Sequence, residues 1–396
     1  MKWSEIPSDA RRYIIYHVIV SPLLITWYML PMYMFMTGYT VLDIGIVFTV
    51  VHVISIPVTY LIGRLFDRIP IRHDLVLIDA LEGTSSILFG LAYGPIAPLM
   101  LFMGLIVNEI ASMFYPLYQA AERTLYPENK MEKIFTWHIR LPEISQLIGF
   151  LVLGYVFGYI FTTPRDYRLG FIVIGLSSSV TIVYLLTYLP KLDVKERIGA
   201  EKFRFRVDTE FKLILVIEAL ITLAWALAPE IVLINYVVNV LGLTFFEVMI
   251  VEATVCMAAI LASYLSEQIE PRHRFKTIAT GYLLISLWAL TMTLNPPFTA
   301  TIAAYFIARF GDVLAFPFYR SWVFSKIPKE KASSLLATLS SYRKLILLTT
   351  PTIAGLLAYI KPTLPYLTSL TLFTAVSLLL TIYHKLSKKT LSKFHV

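Results

Sequence analysis

The sequence predicts an all-α integral membrane protein of twelve transmembrane helices, arranged as two pseudo-symmetric six-helix bundles. Three observations lead there. First, 57% of the 396 residues are hydrophobic and 15% are charged, and the mean hydropathy is +0.71. That is more apolar surface than one water-soluble core can bury. Second, apolar runs recur along the whole chain at the roughly 20-residue length a helix needs to cross about 30 Å of hydrocarbon. Barrel strands would instead be short and alternating. Third, the basic residues collect on alternate connections between these runs.

The basic side carries Lys2, Arg11 and Arg12, the loop arginines Arg64, Arg68 and Arg72, the groups near 123–133, 191–212, 272–276 and 326–331, and a lysine-rich tail. The other side keeps little beyond Arg165, Arg168 and Lys361. By the positive-inside bias the rich side is cytoplasmic, so both termini lie inside, in the cell membrane, and the number of spans is even. The net charge of +8 is then explained by topology and lipid headgroups, and a nucleic-acid partner is not expected. A single cysteine, Cys256, lies inside an apolar run, which leaves no intrachain disulfide and no thiolate metal site. MKWSEIPSDARR is too polar for a cleavable signal, and the first run is long enough to span.

Runs and breakers place the first six spans at about 12–36, 42–62, 74–94, 97–121, 134–160 and 168–189. The segment LPKLDVKERIGAEKFRFRVDT, 190–210, is charged, basic and halfway along, and reads as a cytoplasmic linker. The second six follow at about 211–238, 246–266, 276–294, 298–322, 333–359 and 363–384. The expected domains are therefore 1–189 and 211–396, the latter ending in a short basic tail.

The halves match each other at an offset of about 200 residues, the expected mark of a duplicated helical bundle. ITWYMLP (25–31) faces LAWALAP (223–229), GYTVLD (38–43) faces GLTFFE (242–247), FYPLYQ (114–119) faces AFPFYR (315–320), and YPENK (126–130) faces IPKEK (327–331). The loop GRLFDRIPIRH (63–73) is echoed by SYLSEQIEPRH (263–273).

Twelve spans, a basic central loop, and Gly63, Asp67, Arg68 and Arg72 between spans two and three together resemble the major facilitator superfamily. Pro70 and His73 depart from that family's usual motif, and the second copy is degenerate, with Ser263, Glu267 and Gln268 at the key positions and Arg272 near its close. The resemblance implies two bundles rocking about a midplane site, with spans one, four, seven and ten lining it. It implies that the loop acid latches the cytoplasmic side, with Glu122 and Arg123 resembling its partner. The alternative is that these residues only fix topology.

Ionisable groups inside a span cost about 2.5–3.5 kcal/mol to insert, so they face a bundle interior and usually serve transport. Asn108 and Glu109 fall midway along span four, Arg309 and Asp312 midway along span ten. Arg140 and Glu143 lie in span five, and Arg343 and Lys344 at the corresponding depth of span eleven. One reading gives Glu109 or Glu143 a proton and the arginines an anionic group. The other makes Arg309 with Asp312, and Arg140 with Glu143, internally satisfied pairs. Span seven carries Glu218, Glu230 and Asn235 around Pro229, a place where a broken helix can expose carbonyls. Trp27 and Trp225 are candidate cavity walls or simple packing. Asp79 and Glu82 are expected to partner the basic loop. His17 and His52 are candidate proton carriers or packing residues, and Met29, Met32 and Met36 are adaptable packing rather than a copper site.

No HExxH, GxSxG or phosphate-loop pattern is present, so neither an enzyme nor direct ATP coupling is expected, and no cofactor or metal. The reading is a monomeric secondary transporter, coupled to protons, moving a small organic solute that Arg309 inclines toward an anion. Span five lacks the glycine-proline pattern common among the family's drug antiporters, which weighs against a proton-linked drug exporter. A lipid scramblase or a membrane sensor on the same scaffold is the alternative of another class.

Overall fold

The computed structural model describes residues 2–66, 70–127, 130–190, 209–325 and 342–393. Among them there is no strand, and twelve helical segments correspond to the expected spans. They are α1 (Ser8–Met36), α2 (Val41–Phe66), α3 (Ile71–Gly90), α4 (Gly94–Ser112), α5 (Ile134–Ile160) and α6 (Pro164–Tyr188). The second set is α7 (Lys212–Val240), α8 (Phe245–Ser266), α9 (Arg274–Thr293), α10 (Phe298–Ser325), α11 (Tyr342–Ile360) and α12 (Leu364–Lys393). Ten of the segments are long and apolar enough to cross a membrane.

Local chemistry sets their ends. Span four was expected to run unbroken to about 121; instead α4 stops at Ser112 and a short helix, Pro116–Leu125, follows. Pro116 has no N–H to donate to the preceding turn, and its ring is tolerated at the start of the following helix. The two matched loops fold alike. Gly38 (φ +94°) and Gly242 (φ +69°) supply the left-handed residue that other side chains resist. Two residues later a threonine caps the next helix: the Thr40 N–H and hydroxyl both donate to Asp43 Oδ2, at 2.8 and 2.6 Å. Thr244 does the same to Glu247 Oε2, at 2.8 and 2.5 Å. These are capping pairs with the acid at the helix N-terminus, where the backbone dipole favours it.

The chain divides into two compact units, Met1–Arg197 with Leu243–Ala253, and Ile198–Gly242 with Thr254–Val396. Inside the first, α3 packs on α4 and α6, and α1 on α5 and α6. Inside the second, α9 packs on α10 and α12, and α7 on α11 and α12. The pairings repeat at a six-helix interval, as duplicated bundles require. A tyrosine tie repeats with them: the Tyr33 hydroxyl donates to the Ala92 carbonyl in the first unit, and Tyr236 to the Pro296 carbonyl, at 2.8 Å, in the second.

Helix α6 shows which solvent the surface meets. Its exposed stripe is Leu169, Val173, Leu176, Val180 and Val183, whereas its buried face carries Gly170, Gly175, Ser178 and Thr181. The outward stripe is wholly apolar, and the glycines and hydroxyls lie inward among Phe171, Ile174 and Leu185, the pattern of helices packed in lipid. Close approach is most demanding between α9 and α10, where a Cβ on Gly281 would lie 2.5 Å from the Gly311 carbonyl oxygen and one on Gly311 2.6 Å from that of Gly281. Gly281→Ala is expected to lower stability by about 1–3 kcal/mol, read as a lower Tm of the purified protein; an unchanged Tm would contradict this packing.

Candidate functional site

In the second unit the ionisable residues close on one another. Arg309 Nη1 lies 3.1 Å from Asp312 Oδ2, one turn along α10. On the other side, Arg343 Nε and Nη2 both donate to Glu218 Oε2, at 2.8 and 2.6 Å. Glu218 is buried, and the field of Asp312, Glu218 and Arg343 converges on the Tyr282 ring of α9. The two guanidinium side chains keep 37% and 42% exposure, so each is held by its acid with an edge still reachable. Asn235 is buried and accepts from Asn239 Nδ2 at 3.0 Å within a π-turn, Asn235–Val240. Glu230 sits exposed at the first position after Pro229, where α7 is interrupted. Trp225 packs against Trp288 and Phe373, so it serves as core here.

The first unit gathers carboxylates instead. Glu109 Oε2 lies 3.7 Å from His52 Nε2, and both side chains are partly exposed. One helix away, Tyr16 donates to Asp79 Oδ1 at 2.7 Å and Tyr115 to Glu82 Oε1 at 2.6 Å. Tyr118 lies 3.3 Å from the Tyr16 hydroxyl. Asp79 and Glu82 therefore face the interior of the unit, correcting the expectation that they partner the basic loop. The reason is the register of α3: Asp79 falls on the face with Leu75, Ile78 and Ser86, all buried. They border a cavity of about 50 Å3 lined also by Trp27, Asn108, Ser178 and Thr181. Trp27 and Asn108, expected at the site, are thus brought to the same cavity as two acids assigned elsewhere. The missed signal was the tyrosines: hydroxyls at positions 16, 115 and 118 can face α3 and satisfy carboxylates buried there.

Other expected residues lie apart. Glu143 and Arg140 are half-buried on α5, and each has polar or electrostatic contacts. His138 Nδ1 is 3.6 Å from Glu122 Oε1 and 2.7 Å from the Tyr126 hydroxyl, and His17 packs against His138 and Tyr13. Of the loop motif, Arg72 Nη1 donates to the Leu189 carbonyl at 3.2 Å, and Gly63 lies within α2. Asp67 and Arg68 fall outside the described residues, as does the side chain of Arg123. In the second copy Arg272 pairs with Glu270, and Glu267 is exposed. Among the described residues, no group of three or more His, Cys, Asp or Glu is placed to hold a metal ion.

Known proteins share this architecture. A bacterial homologue of the iron transporter ferroportin, solved in an inward-facing state, superposes with a TM-score of 0.72 at 12% identity, covering 95% of this chain and 98% of its own. A POT family transporter solved with a thioalcohol-conjugated peptide gives 0.68 at 18% identity, covering 98% and 99%. The human organic anion transporter MFSD10 gives 0.67 at 13% identity, covering 95% and 100%. At such identities the likeness is one of fold. No curated protein sequence matches significantly. The sequence model of the Major Facilitator Superfamily matches residues 83–351, more than half of the chain. With twelve helices paired alike in two sets, this chain belongs to the Major Facilitator Superfamily of membrane transporters.

Proposed function

We propose that this protein is a secondary carrier working by alternating access, coupled to protons at Glu109, that moves a small organic solute bearing an anionic group. The observation that carries the proposal is the His52–Glu109 pair, an acid and an imidazole 3.7 Å apart on neighbouring helices of the first unit. Two such groups can share one proton as a neutral pair, and releasing that proton leaves a single negative charge on the acid. The anionic group is assigned to the second unit, where Arg309 and Arg343 are held by acids yet remain partly exposed; a planar guanidinium suits a carboxylate or phosphate. The fold by itself leaves the solute open, since the similar structures include a ferroportin homologue, a peptide-binding transporter and an organic anion transporter. In this reading the carrier is a monomer in the cell membrane, with both termini cytoplasmic and lipids as its neighbours.

The test is uptake of a panel of small organic anions by the purified protein in sealed liposomes, with and without an imposed proton gradient. Accumulation that follows the gradient is expected. Transport of bulky cations in place of the panel would favour a drug exporter, and movement of lipid reporters without any gradient would favour a scramblase; either result would overturn the proposal.

A further inference from the structure

The duplicated halves treat the same buried position in opposite ways. Tyr16 on α1 and Asp79 on α3 have counterparts, by helix, in Glu218 on α7 and Tyr282 on α9, so the acid lies on α3 in the first unit and on α7 in the second, with a tyrosine on the other helix. Tyr118 and Tyr319 correspond in the same way, and each lies beside the acid of its own unit. In the second unit that acid is neutralised by the Arg343 fork. In the first, none of the described residues lining the cavity beside Asp79 is Lys, Arg or His. Asp79 is 3% exposed, its Oδ1 is taken by Tyr16, and its Oδ2 is buried without a hydrogen-bond partner. Glu82, one turn on, brings a second carboxylate to the same space.

A buried carboxylate oxygen with no donor is costly unless something of opposite charge meets it. The neutral polar residues lining the cavity are Thr26, Ser86, Ser178 and Thr181 with their hydroxyls, the Asn108 amide and the Trp27 indole. The Thr181 hydroxyl donates to the Ser178 carbonyl at 2.9 Å and also lies beside Asp79, where its oxygen lone pairs can accept or coordinate. Among the described residues lining the cavity there is no sulfur or imidazole. Carboxylates with hydroxyl and amide oxygens suit hard cations such as Na+, Mg2+ or Ca2+ and not soft metals. The cavity volume of about 50 Å3 admits such an ion with water among its ligands.

We infer that the first unit holds a small hard cation between Asp79, Glu82 and Asn108, filling the role that Arg343 plays in the second. The inference does not depend on proton coupling at Glu109, and its test needs no transport. The purified protein is held at constant ionic strength in choline chloride, and NaCl, MgCl2 or CaCl2 is titrated in while Tm is followed. A saturable rise of several degrees with at least one of the three is expected, because a ligand that binds only the folded state raises its stability. Asp79→Asn and Glu82→Gln should abolish the rise, Asn108→Ala should shift it to higher concentration, and Asp9→Asn, on the exposed Arg12 pair, should leave it intact. If Asp79→Asn does not fold, Glu82→Gln decides. No response to any of the three ions, or an equal response in both carboxylate variants, would overturn the inference. Stabilisation by acid alone would overturn it too, assigning the pair protons in place of a cation.

Discussion

Arg343→Ala is expected to destabilise the protein by about 3 kcal/mol, the lower end of the range for breaking a buried ion pair. The side chain of Glu218 is 4% exposed and that of Arg343 42%. Removing the guanidinium strands a carboxylate whose charge has no other described cation at hydrogen-bond distance, and the partial exposure of the arginine screens part of the loss. Adding Glu218→Gln to Arg343→Ala should recover most of the stability, because the stranded charge is then gone. Arg343→Lys should fall between, keeping the charge while losing the fork of Nε and Nη2 onto Oε2. Unfolding in detergent followed by tryptophan fluorescence gives all four values. Equal stability of Arg343→Ala and the parent would show that the pair contributes nothing, and a double variant no better than the single one would show that the stranded charge is not the cause.

Glu109→Gln is expected to hold solute accumulation in liposomes at the equilibrium ratio whatever the imposed proton gradient, while exchange of labelled for unlabelled solute continues. The amide keeps the size and polarity of the carboxyl but cannot carry a proton, so only coupling should be lost. His52→Ala, which removes the imidazole 3.7 Å away, should shift the pH dependence of uptake without abolishing accumulation. Gradient-driven accumulation by Glu109→Gln equal to that of the parent would remove Glu109 from coupling and send the search to Glu143, the other span acid assigned that role from the sequence.

What was legible beforehand followed from periodicity and solvent. Span positions could be read because a helix in lipid must be apolar over a fixed length, with its backbone bonds satisfied internally. The duplication could be read at GYTVLD and GLTFFE because a glycine turn and a threonine–acid cap leave a local signature; Thr40 with Asp43 and Thr244 with Glu247 bear it out. The Arg309–Asp312 pair was equally readable, since one turn of helix brings the two together. Glu218 with Arg343 was not, because the partners lie on different helices and only the packing of α7 against α11 joins them. Asp79 and Glu82 were misplaced for the same kind of reason: the sequence shows two acids near a basic loop, but not which way α3 is turned.

The sequence alone determined the solvent, the number of helices, the duplication and the family, since each rests on composition or on contacts within a few residues. Tertiary structure decided which charges meet. It turned Asp79 and Glu82 inward to Tyr16 and Tyr115, set His52 beside Glu109, and gave Glu218 its arginine. A charge buried in a bundle is stable only beside a partner, and the partner is chosen by how helices rotate and pack against one another.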